Sequence, residues 1–228
     1  MQAGVIASVE TTSPIKNYRQ KVSVDDHPRF DSLEQCIEIR QEFSLEDGRT
    51  AQVGRAAIED LRNRESTNIT DGGEIVQREQ EEKYTRYTEF LHVSGSFLMV
   101  RSSTGTFLFD LLNNHTDKQI NVSNIRVNEF TDEHPQALVW KVGFRDRGNN
   151  AENGIIHGDG VMQDTEVGDI LGTSDKNQVG LVYDFNSESI KMFITEGGYV
   201  EIYQPSNYDV KDTIRFVESE LLHLMYQE

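Results

Sequence analysis

Between residues 179 and 203 three apolar alternations follow one another with tight turns between them, and this limits the fold more than anything else in the 228-residue chain. Val179, Leu181, Tyr183 and Phe185 share one parity, and residues 190–195 and 199–203 are further strand-like runs. Asn186-Ser187 and Gly197-Gly198 supply residue types that accept the backbone of short hairpin turns. Period-two alternation broken by such turns predicts an antiparallel three-strand meander.

The same signals recur upstream. Residues 5–9 read as a strand. Ile37, Ile39, Phe43 and Leu45 alternate with Glu38, Arg40, Glu42 and Ser44, the pattern of a half-buried strand. Residues 90–93 and 97–101, joined at Ser94-Gly95, form a hairpin, with 102–105 as a second turn. Residues 137–144 give a strand in which Leu138, Trp140, Val142 and Phe144 share a parity, which places Trp140 in the core, and 154–157 give another. Residues 107–112 read as a buried strand passing into a helical turn. In residues 51–64, Val53, Ala57, Ile58 and Leu61 stand at helical spacing, so a short amphipathic helix is expected there. Residues 63–73, with no apolar period and ending in Asp71, Gly72 and Gly73, read as a linker or mobile loop. The charged stretch 74–83 is either a solvated helix or the lead-in to a strand.

At the end of the chain, Pro205, Ser206 and Asn207 stop the last strand and offer a cap. Val210, Ile214, Val217, Leu221, Leu224 and Met225 then fall on one helical face. The expectation is an α+β protein: mainly antiparallel sheet, built of hairpins and the C-terminal meander, with an amphipathic C-terminal helix packed on it. Residues 74–228 form the core domain, and residues 1–73 are an N-terminal strand and helix region that could belong to the same domain.

Charge bears on partners and compartment. Asp and Glu number 39 against 22 basic residues, of which eight are Lys, and the net charge is −17. An acidic, lysine-poor composition resembles that of the cytoplasmic proteins of salt-in halophiles, and implies a soluble cytoplasmic protein working in molar salt. In dilute buffer such a charge would repel nucleic acid and anionic membranes. Molar salt shortens the Debye length to about 3 Å, so nucleic acid is not excluded as a partner. No stretch approaches the roughly 18 apolar residues of a membrane span. The first ten residues lack a basic segment followed by an apolar one, so no secretion signal is expected, and the sequons at Asn68, Asn114 and Asn121 then carry no sugar. The single cysteine, Cys36, excludes an internal disulfide and a multi-cysteine zinc site, and its apolar neighbour Ile37 suits a packing role.

Most catalytic patterns fail on spacing. There is no phosphate-binding glycine loop ending in Lys and Ser or Thr, no hydrolase elbow around a serine, no His-Glu-x-x-His and no dinucleotide fingerprint. A nuclease-like acidic set at Asp184, Glu188 and Lys191 fails because residues three apart on a strand point to opposite faces. Asp132, Glu133 and His134 before Pro135 resemble the end of a helix or loop. Arg145 and Arg147 could hold an anion, although pairing with nearby acids competes.

The segment with most chemical promise is the 157–169 loop. His157, Asp159, Asp164, Glu166 and Asp169 are interleaved there with Gly158, Gly160 and Gly168. Carboxylates and an imidazole could bind a divalent metal, with His157, Asp159, Asp164 and Asp169 as candidate ligands, although the spacing is not that of a calcium loop. A solvated acidic loop is the competing reading, and no other cofactor is implied. Two functions therefore compete: a non-enzymatic protein–protein interaction module or assembly component, which engages a protein partner or itself, and a metal-assisted hydrolase or nucleic-acid-processing protein using the acidic loop.

Overall fold

The turns at Asn186-Ser187 and Gly198 sit where the structure, a computed structural model describing residues 2–24, 27–145 and 152–227, folds its C-terminal meander. Strands β11 (Asp175–Phe185), β12 (Glu188–Thr195) and β13 (Tyr199–Gln204) lie side by side and antiparallel. Asn186 and Ser187 take positive φ of 50° and 68°, as the tight reversal between β11 and β12 requires.

These strands belong to a large antiparallel sheet. Its order is β10 (Gly154–His157), β9 (Leu138–Arg145), β11, β12, β13, β1 (Ala3–Val9), β6 (Phe97–Val100), β5 (Ile75–Val93), β4 (Thr50–Ile69), β3 (Ser32–Ser44) and β2 (Tyr18–Ser23), with β7 (Ile120–Val122) paired to β1, while β8 (Asn124–Ile125) and β14 (Met225–Tyr226) form a separate pair. The N-terminal strand is central, with Ala3–Val5 against β13 and residues 5–8 against β6. The protein is thus mainly antiparallel sheet with a few helices, broadly α+β.

Strand alternation divides the core between the two faces of the sheet. On one face Ile6, Leu91, Phe97 and Met99 join Val179, Leu181, Met192 and Ile202 beneath α2 (Val127–Glu133) and the C-terminal helix. On the other, Val5, Ala7, Phe90, Leu98 and Val100 pack under α1 (Phe107–His115), which buries Phe107, Leu108, Phe109, Leu111 and Leu112.

The C-terminal helix begins as α4 (Val210–Phe216), passes through a π turn (Val217–Leu221) and ends in a 3-10 turn (Leu222–Leu224). Its cap is Asp209 rather than the 205–207 residues. The Asp209 carboxylate accepts from the Asp212 amide at 2.9 Å, and the Asp212 carboxylate accepts from the Asp209 amide at 3.1 Å, a reciprocal capping box. Ile214, Phe216, Val217, Leu221 and Leu224 are buried against the sheet.

Four sequence expectations are corrected. Residues 51–64 are not a helix but part of β4, one of two very long strands. Val53, Ala57, Ile58 and Leu61 mimic helical spacing, but 19 residue pairs between β4 and β5 claim the backbone hydrogen bonds instead. Residues 63–73 are no linker; they run up one strand of this ribbon and round its turn. There Gly73 takes φ 80° and its amide donates to the Thr70 carbonyl at 2.8 Å. The charged 74–83 stretch is the returning strand. Residues 107–112 are helix from Phe107 onward, because an apolar run of that length cannot by itself separate a buried strand from a buried helix.

Trp140 supplies the fourth. The pairing of β9 with β11 slips between Gly180 and Leu181, so Val139 faces Leu181 while Lys141 faces Gly180. This bulge leaves Trp140 as the extra residue and reverses the parity of the strand. Val139, Val142 and Phe144 enter the core, whereas Leu138 is exposed and Trp140 turns to the opposite, open face.

Candidate interaction surface

The distal β4–β5 ribbon is the least covered part of the fold. Beyond Ile58 the strand β4 loses its second neighbour β3, and pairing continues with β5 alone from Glu59↔Thr85 to Ile69↔Ile75. From Arg62 to Gln80 every residue is exposed or half-buried. At about 3.4 Å per residue the reach from Arg62 to Ile69 is about 24 Å. The chain exposes 12986 Å², against about 10,500 Å² for a compact monomer of 26.0 kDa. An isolated two-stranded hairpin is marginal in water, and this one carries no core of its own.

Paired residues share a face, so the register sorts the side chains. One face carries Asn63 and Glu81, Glu65 opposite Glu79, Thr67 opposite Gln77, and at the tip Ile69 opposite Ile75, which are 75% and 72% exposed. The Glu65 and Glu79 carboxylates stand directly opposite each other, a like-charge pair that strand pairing disfavours. The other face carries Arg62 and Arg64, both paired with Glu82, and Arg78. At the base the acidic face is held by residues 27–30. His27 meets Glu81 at 2.7 Å, and the Lys83 ammonium lies over the Phe30 ring.

A second uncovered area lies on the α1 side of the sheet, where strands β9, β12 and β13 extend past that helix. The rings of Tyr203, Trp140, Phe193 and Tyr199 follow one another there at centroid spacings of 5.8, 6.4 and 6.4 Å. Lys191 lies 5.0 Å from the Trp140 centroid and Lys141 4.0 Å from that of Phe193. Gly180 beneath them is required, since a Cβ there would collide with the Trp140 indole. Neither lysine has a carboxylate within salt-bridge distance among the described residues, whereas most arginines do.

Among the described residues, the candidate metal ligands His157, Asp159 and Asp164 are not grouped. His157 ends β10, and His157, Asp159 and Asp164 are all exposed. The Asp164 carboxylate instead accepts from the amides of Glu166 and Val167, both at 2.9 Å, which shapes the turn before α3 (Gly168–Gly172). The Asp169 side chain lies outside the described residues, as does Arg147. Among the described residues no three His, Cys, Asp or Glu side chains are grouped as a metal would need. Arg145 pairs with Glu196 at 2.5 Å, and Lys191 is on Trp140, away from any nuclease-like role with Asp184 and Glu188.

His134 does join a cluster, though with residues distant in sequence. Its Nδ1 lies 2.8 Å from the Phe130 carbonyl and its Nε2 2.9 Å from Glu220, whose carboxylate also accepts from the Tyr183 hydroxyl at 3.0 Å. An open groove of about 470 Å³ runs alongside, lined by Pro135, Leu138, Val182, Asp184 and Ser189. Burial opposes the imidazolium, but hydrogen bonds to Glu220 and to the Phe130 carbonyl, together with the Glu220 charge, raise the His134 pKa above the usual imidazole value. Burial also opposes the Glu220 carboxylate, and the bonds from His134 and Tyr183 reverse this and lower its pKa. Burial, reinforced by Glu220, pushes the Tyr183 phenol up. Both imidazole nitrogens face acceptors, so neither is available to take a proton from a substrate. The cluster is a clamp between α2, β11 and the π turn rather than a catalytic base.

No described helix is long and apolar enough to cross a membrane. No family model matches this chain, and neither does any curated protein or solved structure.

Proposed function

We propose that this protein is a non-enzymatic assembly component that engages a protein partner through the projecting β4–β5 ribbon. The observation that carries the reading is the ribbon itself: a two-stranded arm with two isoleucines at its tip, no buried residue from Arg62 to Gln80, and a surface area well above that of a compact monomer. The arm adds nothing to the core, so its order and length are accounted for by contact with another surface. Among the described residues, the His134, Tyr183 and Glu220 cluster is occupied with holding the fold.

The test uses the parent chain with a photoreactive residue at position 67 or 77, on the acidic face of the ribbon, in the cells that make the protein. A discrete adduct to one partner from both positions is expected, with none from position 85 at the foot of the arm. Absence of any adduct from the arm overturns the reading. In parallel, joining Arg62 to Glu82, which face each other in register, through Asn-Gly should shorten the ribbon and leave the melting temperature within about 3 °C of the parent. A body that fails to fold without the arm would show the ribbon to be structural.

The acidic, lysine-poor composition supports a setting in a salt-rich cytoplasm. A net charge of −17 destabilises the compact state by self-repulsion unless it is screened. The far-ultraviolet circular dichroism of the folded chain is expected to persist in molar KCl and to fall as KCl is dialysed away. An unchanged spectrum in dilute buffer would remove the halophilic reading.

A further inference from the structure

We infer that the partner of the ribbon is a second copy of this chain, and that the acidic, isoleucine-tipped face of one copy's ribbon docks on the aromatic and lysine face formed by Trp140, Tyr203, Lys141 and Lys191 of another. The inference rests on the assembly reading above and names the surface that the arm meets.

The two surfaces complement each other in charge and polarity. On the ribbon, Glu65 and Glu79 face each other without a cation among the described residues, and Ile69 and Ile75 stand exposed beyond them. On the sheet, Lys141 and Lys191 have ring faces rather than carboxylates for partners, and the Glu201 carboxylate beside these rings accepts from the Tyr199 and Tyr203 hydroxyls at 3.1 and 2.9 Å. The two lysines flank Trp140 and Tyr203, the latter 41% exposed, with the exposed Ile155 and Leu138 on the neighbouring strands β10 and β9. Among the described residues the Glu65–Glu79 pair lacks a cation and Lys141 and Lys191 lack a carboxylate, in a chain where basic groups are scarce.

Apolar contact at the tip supplies burial, and carboxylate–ammonium contacts fix the register. Such contacts survive molar salt because the charges meet within about a Debye length. Ribbon and receiving face are different surfaces, so docking either is reciprocal and closes a two-fold dimer, or runs head-to-tail and yields a ring or a filament. The sheet face cannot receive its own ribbon in the described fold, since β4 and β9 are separated by six strands of the sheet.

Sedimentation velocity over a concentration series, at a KCl concentration where circular dichroism shows the fold intact, tests the proposal with two charge-reversed chains. One carries Glu65→Arg and Glu79→Arg, the other Lys141→Glu and Lys191→Glu. The parent is expected to assemble, each reversed chain alone to assemble at least roughly tenfold more weakly, and an equimolar mixture of the two to recover assembly, because each then offers the surface that the other has lost. Glu65 and Glu79 are exposed and Lys141 and Lys191 half-buried, and recovery on mixing excludes misfolding as the cause of the loss. A parent that stays monomeric overturns self-docking and leaves the photochemical partner of the arm to be another protein. A parent that assembles equally well with Arg62 joined to Glu82 through Asn-Gly overturns both this docking and the assembly role of the ribbon. Assembly that needs the ribbon but is not recovered in the mixture overturns the receiving face alone.

Discussion

Replacing Glu220 by Ala is expected to lower stability by about 2–3 kcal/mol at pH 6, and the loss should narrow as the pH is raised. Glu220 and His134 leave 16% and 14% of their side chains exposed, so the cost falls somewhat below the 3–5 kcal/mol of breaking a fully buried pair. The substitution strands the His134 imidazolium and removes the acceptor of the Tyr183 hydroxyl. For a chain of this size the change corresponds to a melting temperature lower by roughly 4–12 °C. Glu220→Gln keeps a hydrogen-bonding group in place without the charge, and should cost about 1 kcal/mol.

The pH dependence follows from the direction of each shift. The His134 pKa is raised above 6.5, so its contribution is complete below the unfolded value and is lost as pH rises through the folded one. The Glu220 pKa is lowered below 4.5, so its contribution is complete above that value and is lost as pH falls through the folded one. The pair therefore stabilises fully between about pH 4.5 and 6.5. A parent whose melting temperature falls above pH 6.5, set against a Glu220→Gln chain without that component, would establish the clamp. Parallel profiles for the two would refute a charged His134.

Much of the sheet was legible because its hairpins state both their period and their turns. In residues 179–203 alternation and turn residues agree, and the positive φ at Asn186 and Ser187 falls where those residue types allow it. The ribbon was illegible for a physical reason. A strand advertises itself by burying one face, and beyond Ile58 neither face of the ribbon is buried, so the polar sequence of residues 63–83 carries no period. Its length also far exceeds the five or six residues typical of a strand. The aromatic face was hidden by one bulge, which reversed the parity of Trp140. The His134, Tyr183 and Glu220 clamp joins residues from three distant segments, and no local spacing encodes it. The acidic loop differs again: its composition suggested a site, and of its carboxylates Asp164 accepts from the amides that shape the turn before α3.

Substituting His92 by Leu is expected to flatten the acid side of the stability profile, removing a component of about 3 kcal/mol between pH 6.5 and 4. His92 is fully buried in β5, and its Nδ1 meets Gln52 Oε1 at 3.0 Å. That oxygen also accepts from the Ile15 amide at 2.7 Å, while Gln52 Nε2 donates to the Ile15 carbonyl and to Glu42. The network thus assigns the proton to Nδ1, and Nε2 has no partner among the described residues. Burial, aided by the nearby Lys118 ammonium, pushes the imidazole down to about 4. Between 6.5 and 4 the unfolded chain binds a proton at this position that the folded chain refuses, so stability is lost as pH falls through that range and is complete above it. Each pH unit is worth about 1.4 kcal/mol, which gives the stated size and roughly 6–12 °C in melting temperature. Leu costs little at neutral pH, since Gln52 keeps its bonds to Ile15 and no buried nitrogen is left unpaired. Acid loss at His92 and alkaline loss at His134 together place the stability maximum near pH 6.5. A His92→Leu chain that still loses stability in parallel with the parent from pH 6.5 to 4 would show that surface carboxylates, not this imidazole, set the acid limit.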